Sequence, residues 1–443
     1  MQASGPVRAL PGRGEAAELS AARLETMAST PAAEQSTENL MPVLSPEGFG
    51  LLSSLAPEAA ATDRAALELN LSLRKTGHDP EVVTAVVHQA RLRALAKTKL
   101  GPFAEHMILT RAGLEQATRM NVAALHARRY VEAGFTRVAD LGCGLGSDAM
   151  AMASLELDVT AVELDETTAA AATMNLMPWP NARVVNADAE GFDVSGFDAV
   201  WLDPARRTTT TSGTSRIFDP EAFSPPLSFV EALADAGKPV GVKLGPGIPH
   251  ESVPADCEAQ WVSVGGAVTE ATLWFGSLRR NGVRRAALVV GGHGAAELTS
   301  ETDAAEAARA RGTRPTGDVE GYLYEPDGAV IRAGLVEQVV DAVGGHLLDP
   351  HIAYFCAPEA VETPFARAYR VLDVKPYNVK ALRAWVKAAG IGVLDIKKRG
   401  LDVTPEELRR VLLAGAGKKA KKKATLVLTR IGDSRYAIEV EPV

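Results

Sequence analysis

A glycine-rich turn, VADLGCGLGSD at residues 138–148, constrains this chain more than any other feature. Val138 and Ala139 end an apolar run that reads as a buried strand, Asp140 stands at its carboxyl end, and Gly142, Gly144 and Gly146 form the turn. Glycine is needed where backbone passes within contact distance of a ligand, because a Cβ would occupy the ligand's space. About twenty residues on, a second strand at 159–162 ends in Glu163 and Leu164, and the Glu163 carboxylate is placed to accept from two ribose hydroxyls. The pattern is that of a nucleotide-binding first turn in an α/β sheet.

Spacing separates the ligand classes that use such a turn. A dinucleotide site requires G-x-G-x-x-G, so that a helix amino terminus meets a pyrophosphate. This chain reads GCGLGS over 142–147, with Ser147 at the last glycine position, and so favours a ligand without pyrophosphate. The run from Asp140 to Gly146 resembles motif I of the class I S-adenosylmethionine (SAM)-dependent methyltransferases. The resemblance continues through a third strand (183–185) into NADAEGF (186–192), where Asp188, followed by Ala189, is the partner for an adenine amino group. It implies SAM as cofactor, held by Asp140, Gly142, Cys143, Gly144, Gly146, Glu163, Leu164, Asp188, Ala189 and Asp203. A structural turn is the alternative for the glycines taken alone, and Cys143 reads as a packing residue rather than a nucleophile.

A fourth strand (197–202) runs into Asp203-Pro204-Ala205-Arg206. In amino-methyltransferases acting on nucleic-acid bases, the matching position carries Asp, Asn or Ser followed by Pro-Pro and often an aromatic. There the side-chain oxygen and the following carbonyl aim an exocyclic amine at the SAM methyl. Asp203 and Pro204 match this pattern, whereas Ala205 and Arg206 depart from it. Asp203, Pro204 and Arg206 are therefore the catalytic candidates, and base stacking falls to Phe218, Phe223 or Trp201. A cap on the following turn is the alternative role for Asp203. Arg207 precedes and Arg216 closes the polar loop TTTTSGTSR (208–216), which reads as a substrate lid with the arginines on the substrate side. Neither Cys257 nor Cys356 sits in a motif suited to pyrimidine carbon-5 methylation.

At 443 residues and 46% hydrophobic content the chain predicts two or three domains. Three cysteines without a C-x-x-C argue against a disulfide framework or a zinc site, so no metal is expected and a reducing cytoplasm fits best. The amino terminus lacks the order of a secretory signal, and no apolar run is long enough to span a membrane. Residues 366–430 hold 17 Lys and Arg against 5 Asp and Glu, a surplus of +12, so the remainder carries −20 to reach the formal −8. A basic module on an acidic body suits a polyanion partner.

The domain reading is a disordered segment (1–45), a helical domain (46–134), the SAM-binding domain (135–294), a polar linker (295–318) and an α+β domain (319–443). The fold class is α/β, a Rossmann-like class I methyltransferase sheet that is parallel apart from an antiparallel terminal hairpin formed by 257–266 and 270–278. Residues 109–119 precede the glycine turn and are read as folding back over the cofactor, with Thr110, Gln116 and Thr118 as candidates. The phrases YLYEPDGAVIRAGL, YNVKALRAWVKAAGIG and IGVLDIKKRG resemble the THUMP-like domain that follows a methyltransferase domain in a group of bacterial proteins. True THUMP domains bind RNA, usually tRNA. Together with the Asp203-Pro204 match, this resemblance implies methylation of an exocyclic amine, N2 of guanine or N6 of adenine, in tRNA or rRNA. Lys375, Lys397, Lys398 and Arg399 are then the candidates for an RNA-facing surface. Two rivals stand beside this reading: methylation of a protein or small metabolite, and an RNA-binding protein that keeps SAM as a structural ligand.

Overall fold

The computed structural model describes residues 39–206, 219–292, 294–312, 314–414 and 420–443. After a single helical turn (Met41–Leu44), helices α1 (Pro46–Ser54) and α2 (Asp63–Lys75) pack on α3 (Pro80–Leu100). Asp79 caps α3 by accepting from the Glu81 N–H at 2.7 Å, ahead of Pro80, whose missing N–H costs nothing in the first turn. Helix α3 buries residues on more than one face, from Val82 to Leu100, because other helices cover it on several sides. Helices α4 (Arg111–Gln116) and α5 (Met120–Glu132) lead into the sheet.

Strands β1 (Arg137–Leu141), β2 (Asp158–Glu163), β3 (Ala182–Asn186), β4 (Ala199–Leu202) and β5 (Val240–Leu244) pair in parallel in the order 3-2-1-4-5. Helices α6 (Ser147–Ser154), α7 (Glu166–Leu176) and α8 (Leu227–Asp235) make the crossovers. The hairpin forms, with its second strand at 267–274 rather than 270–278 and not at the sheet's edge: β6 (Glu258–Val264) turns at Gly265 and Gly266, both with positive φ, into β7 (Ala267–Trp274), which inserts antiparallel between β5 and β6. Two more strands, β8 (Arg285–Gly291) and β9 (Gly294–Ser300), extend the sheet to nine.

Alternation along β1 sends neighbouring residues to opposite layers. Val138 joins the core shared with the amino-terminal helices, with Val86, Ile108, Trp201 and Trp274. Ala139 joins the opposite layer, with Val200, Val242, Val230 of α8, and Val330, Val336 and Phe355 from the carboxyl-terminal part. That part holds β10 (Tyr322–Pro326), α10 (Gly328–Arg332), α11 (Val336–Ala342), β11 (His346–Asp349), β12 (Ile352–Ala357), β13 (Ala366–Pro376), α12 (Val379–Ala388), β14 (Ile391–Arg399), α13 (Pro405–Leu413), β15 (Lys422–Ile431) and β16 (Ser434–Pro442). Its seven strands run in the order 11-12-10-13-16-15-14, and α12 and α13 cover one face.

Two segments differ from the sequence expectation. The helical turn at Met41–Leu44 lies inside the segment read as disordered, and burial of Leu40 and Val43 against the helices explains its order. Residues 295–318, read as a linker, contain most of β9 and helix α9 (Ala304–Gly312). Strand β9 is an edge strand with no fully buried residue, so its sequence lacks the apolar alternation that marks a strand.

Candidate active site

Gly142, Gly144 and Gly146 have φ of +84°, +54° and +85°, a backbone region that side chains disfavour. A Cβ on Gly142 would lie 3.1 Å from the Asp203 carbonyl oxygen, so the glycine turn and the DPAR segment are in contact. Around Gly144, by contrast, a Cβ would meet nothing within 4 Å. The turn is held by N–H donation from Gly142 and Cys143 to the Val162 carbonyl, at 2.9 and 3.0 Å. Glu163 accepts from the Gly144 N–H through Oε2 at 3.0 Å and from the Asp165 N–H through Oε1 at 2.9 Å. Burial raises its carboxyl above the usual value, against those bonds.

Asp140 is the unusual member. It is 1% exposed, and neither carboxylate oxygen has a hydrogen-bond partner among the described residues. Burial, with Asp148 and Asp203 nearby, pushes its carboxyl well up. A buried polar group without a partner costs roughly 1–3 kcal/mol, more when charged, so the position suits a cationic ligand. Asp188 is exposed at the end of β3 and accepts from the Glu190 N–H at 3.0 Å, while Ala189 behind it is buried. Leu164 is exposed beside Glu163.

At the end of β4, Asp203 Oδ2 lies 2.5 Å from Lys243 Nζ on β5. The ammonium also donates to Thr118 Oγ1 at 2.9 Å and to the Gln116 carbonyl at 3.4 Å, which spends its three protons. Burial raises the Asp203 carboxyl to about 6 despite Lys243. The Lys243 ammonium is held above its usual range, because Asp203, Asp148 and Glu270 outweigh burial. Deeper in, His126 Nδ1 meets Asp148 Oδ1 at 2.9 Å, and its Nε2 makes an ionic contact with Glu270 Oε1 at 2.8 Å. The ring stacks obliquely on Trp201 at 4.5 Å. Lys99 donates to the Leu114 and Glu115 carbonyls at 2.8 and 2.7 Å, and burial with Lys243 and Arg119 nearby lowers it to about 8.

An uncharacterised SAM-dependent methyltransferase of Mycobacterium tuberculosis, known from two strains, is 31% identical over 358 residues, spanning 78% of this chain and 92% of the relative. The chain belongs to the SAM-dependent methyltransferases. The family described as a methyltransferase domain matches residues 138–212 of this methyltransferase, and the THUMP domain-like family matches residues 366–442. A domain of unknown function matches residues 36–96. A crystal structure from Porphyromonas gingivalis, described as a methyltransferase candidate, superposes with a TM-score of 0.66 at 21% identity, over 89% of this chain and 96% of its own. The methyltransferase is thus a class I enzyme with a carboxyl-terminal THUMP-like domain, and its cofactor is SAM.

The residues present fit that cofactor. The unpartnered Asp140 carboxylate suits the methionine ammonium, the open space at Gly144 admits the ligand, and Glu163 keeps lone pairs for the ribose. The Cys143 thiol is pushed well up by burial, in keeping with a packing role. Several expected site residues lie elsewhere. Trp201 and Phe223 are buried core residues, so neither is free to stack on a base, and Phe218 lies outside the described residues. Arg207, Arg216 and the expected lid also lie outside them. Pro204 is buried, and Arg206 pairs with Phe223 in a short antiparallel ladder. Thr110 caps α4 through the Gly113 N–H at 3.1 Å. A Cβ on Gly113 would strike Leu145 at 2.7 Å, which brings this segment onto the glycine turn.

The four basic candidates do not form one surface. Strand alternation puts Lys397 and Arg399 on one face of β14, where both point at Glu325 (2.7 and 3.9 Å), and leaves Lys398 on the other. Lys375 is tied to Asp373 and to Glu439, the latter at 3.2 Å. Sequence reasoning missed Lys243, His126, Asp148 and Glu270. The lysine in PVGVKL was the available signal, since a charged residue inside an apolar strand must find a buried partner.

Proposed function

We propose that this methyltransferase acts on an exocyclic amine of an RNA base, N2 of guanine or N6 of adenine in tRNA or rRNA. The observation that carries this is Asp203, whose carbonyl abuts the glycine turn and whose side chain is 28% exposed beside it. Bound SAM supplies an electrophilic methyl on its sulfonium sulfur. The chain's part is to hold the acceptor nitrogen in line with that methyl, and alignment of this kind accounts for much of the acceleration in such transfers. Lys243 fixes one oxygen of Asp203, the other accepts an amine N–H, and the Pro204 carbonyl accepts the second. With its carboxyl near 6, Asp203 is ionised at neutral pH and basic enough to take the proton that leaves the nitrogen. Asp140, Glu163 and Asp188 hold the methionine, ribose and adenine parts of the cofactor. The RNA assignment is supported by the THUMP-like domain and by the basic surplus of residues 366–430. The three cysteines are free, which suits a cytoplasmic enzyme.

One observation favours a second reading. With Trp201 and Phe223 buried, the described residues supply no aromatic at Asp203 from the expected set, which suits an acceptor on a protein or small metabolite. Mass spectrometry of nucleosides from bulk RNA of a deletion strain separates the two. Loss of one N-methylated nucleoside supports the RNA reading, and an unchanged nucleoside profile with a lost methylated peptide or metabolite overturns it.

A further inference from the structure

The cations of the carboxyl-terminal domain divide by whether a carboxylate answers them. Lys397, Arg399, Lys375, Arg370 and Arg430 each face one. Another group faces none among the described residues. Helix α12 buries Leu382 and Val386 and turns Lys380, Arg383 and Lys387 outward at spacings of three and four, which aligns them on one exposed face. No acidic residue occurs between Asp373 and Asp395, and Arg383 donates to the Ala414 carbonyl at 2.9 Å, an interaction that leaves its charge uncompensated. The chain returns to this place: the Lys422 N–H donates to the Gly390 carbonyl just past α12, so the exposed Lys421, Lys422 and Lys423 run beside the helix end. No acidic residue occurs between Glu407 and Asp433 either.

Like charges three or four apart on a helix repel by a few tenths of a kcal/mol per pair. The fold carries that cost here while the chain as a whole is at −8, with carboxylates abundant elsewhere. We propose that the outward face of α12, continued by Lys422, which strand alternation puts on the same side of the sheet as Ala424 and Leu426 under the helix, is an RNA-binding surface that takes the phosphodiester backbone of a single-stranded segment. The surface rests on RNA being the partner, as in the preceding reading, but is independent of which atom is methylated. An anionic membrane fits less well, because the outward positions of α12 between the cations are Ala381 and Ala384, which offer no apolar anchor. Trp385, half-buried with Lys375 Nζ at 5.0 Å from its ring, lies at the border of this face and gives a base something to stack on.

Fluorescence anisotropy of the full-length protein with a labelled oligouridine, across a salt series, tests this. Each phosphate contact to a single strand contributes about −0.7 to the slope of log K against log salt. Lys380→Ala, Arg383→Ala and Lys387→Ala together should therefore flatten the slope by about 2. Lys397→Ala, which removes a cation already paired with Glu325, should leave it unchanged. Unaltered SAM binding in the triple variant shows that it folds. The proposal is overturned if wild-type protein ignores the oligomer, if the triple variant keeps the wild-type slope, or if phosphatidylserine vesicles bind more tightly than RNA at equal salt. A positive binding result with an unchanged nucleoside profile in the deletion strain would retain this surface and remove the RNA-methylation reading.

Discussion

His126 offers a test that needs no substrate. Its imidazole is 2% exposed, and burial alone would keep it neutral, but Glu270 and Asp148 outweigh that and raise it to about 9. The unfolded-state value is about 6.5, so the folded state binds the proton more tightly and gains stability wherever the ring is charged in it. The gain is complete below the unfolded value and vanishes as pH rises through about 9. Linkage with these two values gives about 3 kcal/mol at pH 6, about 2 at pH 7.5 and nearly nothing by pH 10. Trp201 and Trp274, with ring centroids 4.5 and 6.0 Å from His126, report on this region by fluorescence. Urea unfolding should show a loss of about 2 kcal/mol between pH 7.5 and pH 10 that disappears in His126→Gln. At pH 7 the variant should be less stable by about 3 kcal/mol, since it leaves two buried carboxylates without their cation. A variant with the same alkaline loss as wild type would refute a charged His126.

Glu163→Ala should weaken SAM binding by about 2 kcal/mol, roughly thirtyfold, through lost charge-assisted bonds, measured by calorimetry. Asp203→Asn should abolish methylation of the true substrate while SAM affinity stays within a few-fold, and full turnover would refute its role at the acceptor. Lys243→Met removes the cation that opposes burial at Asp203, so the carboxyl should rise above about 6 and the acid limb of the pH–rate profile should move to higher pH, with partial rescue by Lys243→Arg. Gly142→Ala forces a side chain to φ +84° and 3.1 Å from the Asp203 carbonyl. It should cost about 1–2 kcal/mol of stability and lower turnover, both read against wild type in thermal unfolding and activity assays.

Local chemistry accounts for what could be read without coordinates. Glycines at alternate positions from Gly142 to Gly146, an acid at the end of each of two apolar runs, and a diglycine turn at Gly265 announce a sheet, its ligand edge and its hairpin, because each follows from backbone sterics or period-two burial. Edge strand β9 was illegible for the converse reason, having no buried face to impress a pattern. Trp201 and Phe223 were misplaced because an aromatic near a motif looks alike whether it points at a ligand or at the core.

The sequence by itself determined the fold class and the cofactor, since contiguous residues build the glycine turn after β1 that carries the family's motif. Only the tertiary structure brought Lys243 from β5, Thr118 from before α5, Asp148 from α6 and Glu270 from β7 to one buried site around Asp203 and His126. Likewise it alone decided which cations of the basic domain are answered, pairing Lys397 with Glu325 across 72 residues and leaving the α12 cations without a carboxylate among the described residues. Charge interactions depend on distance and dielectric, and neither is a property of sequence separation.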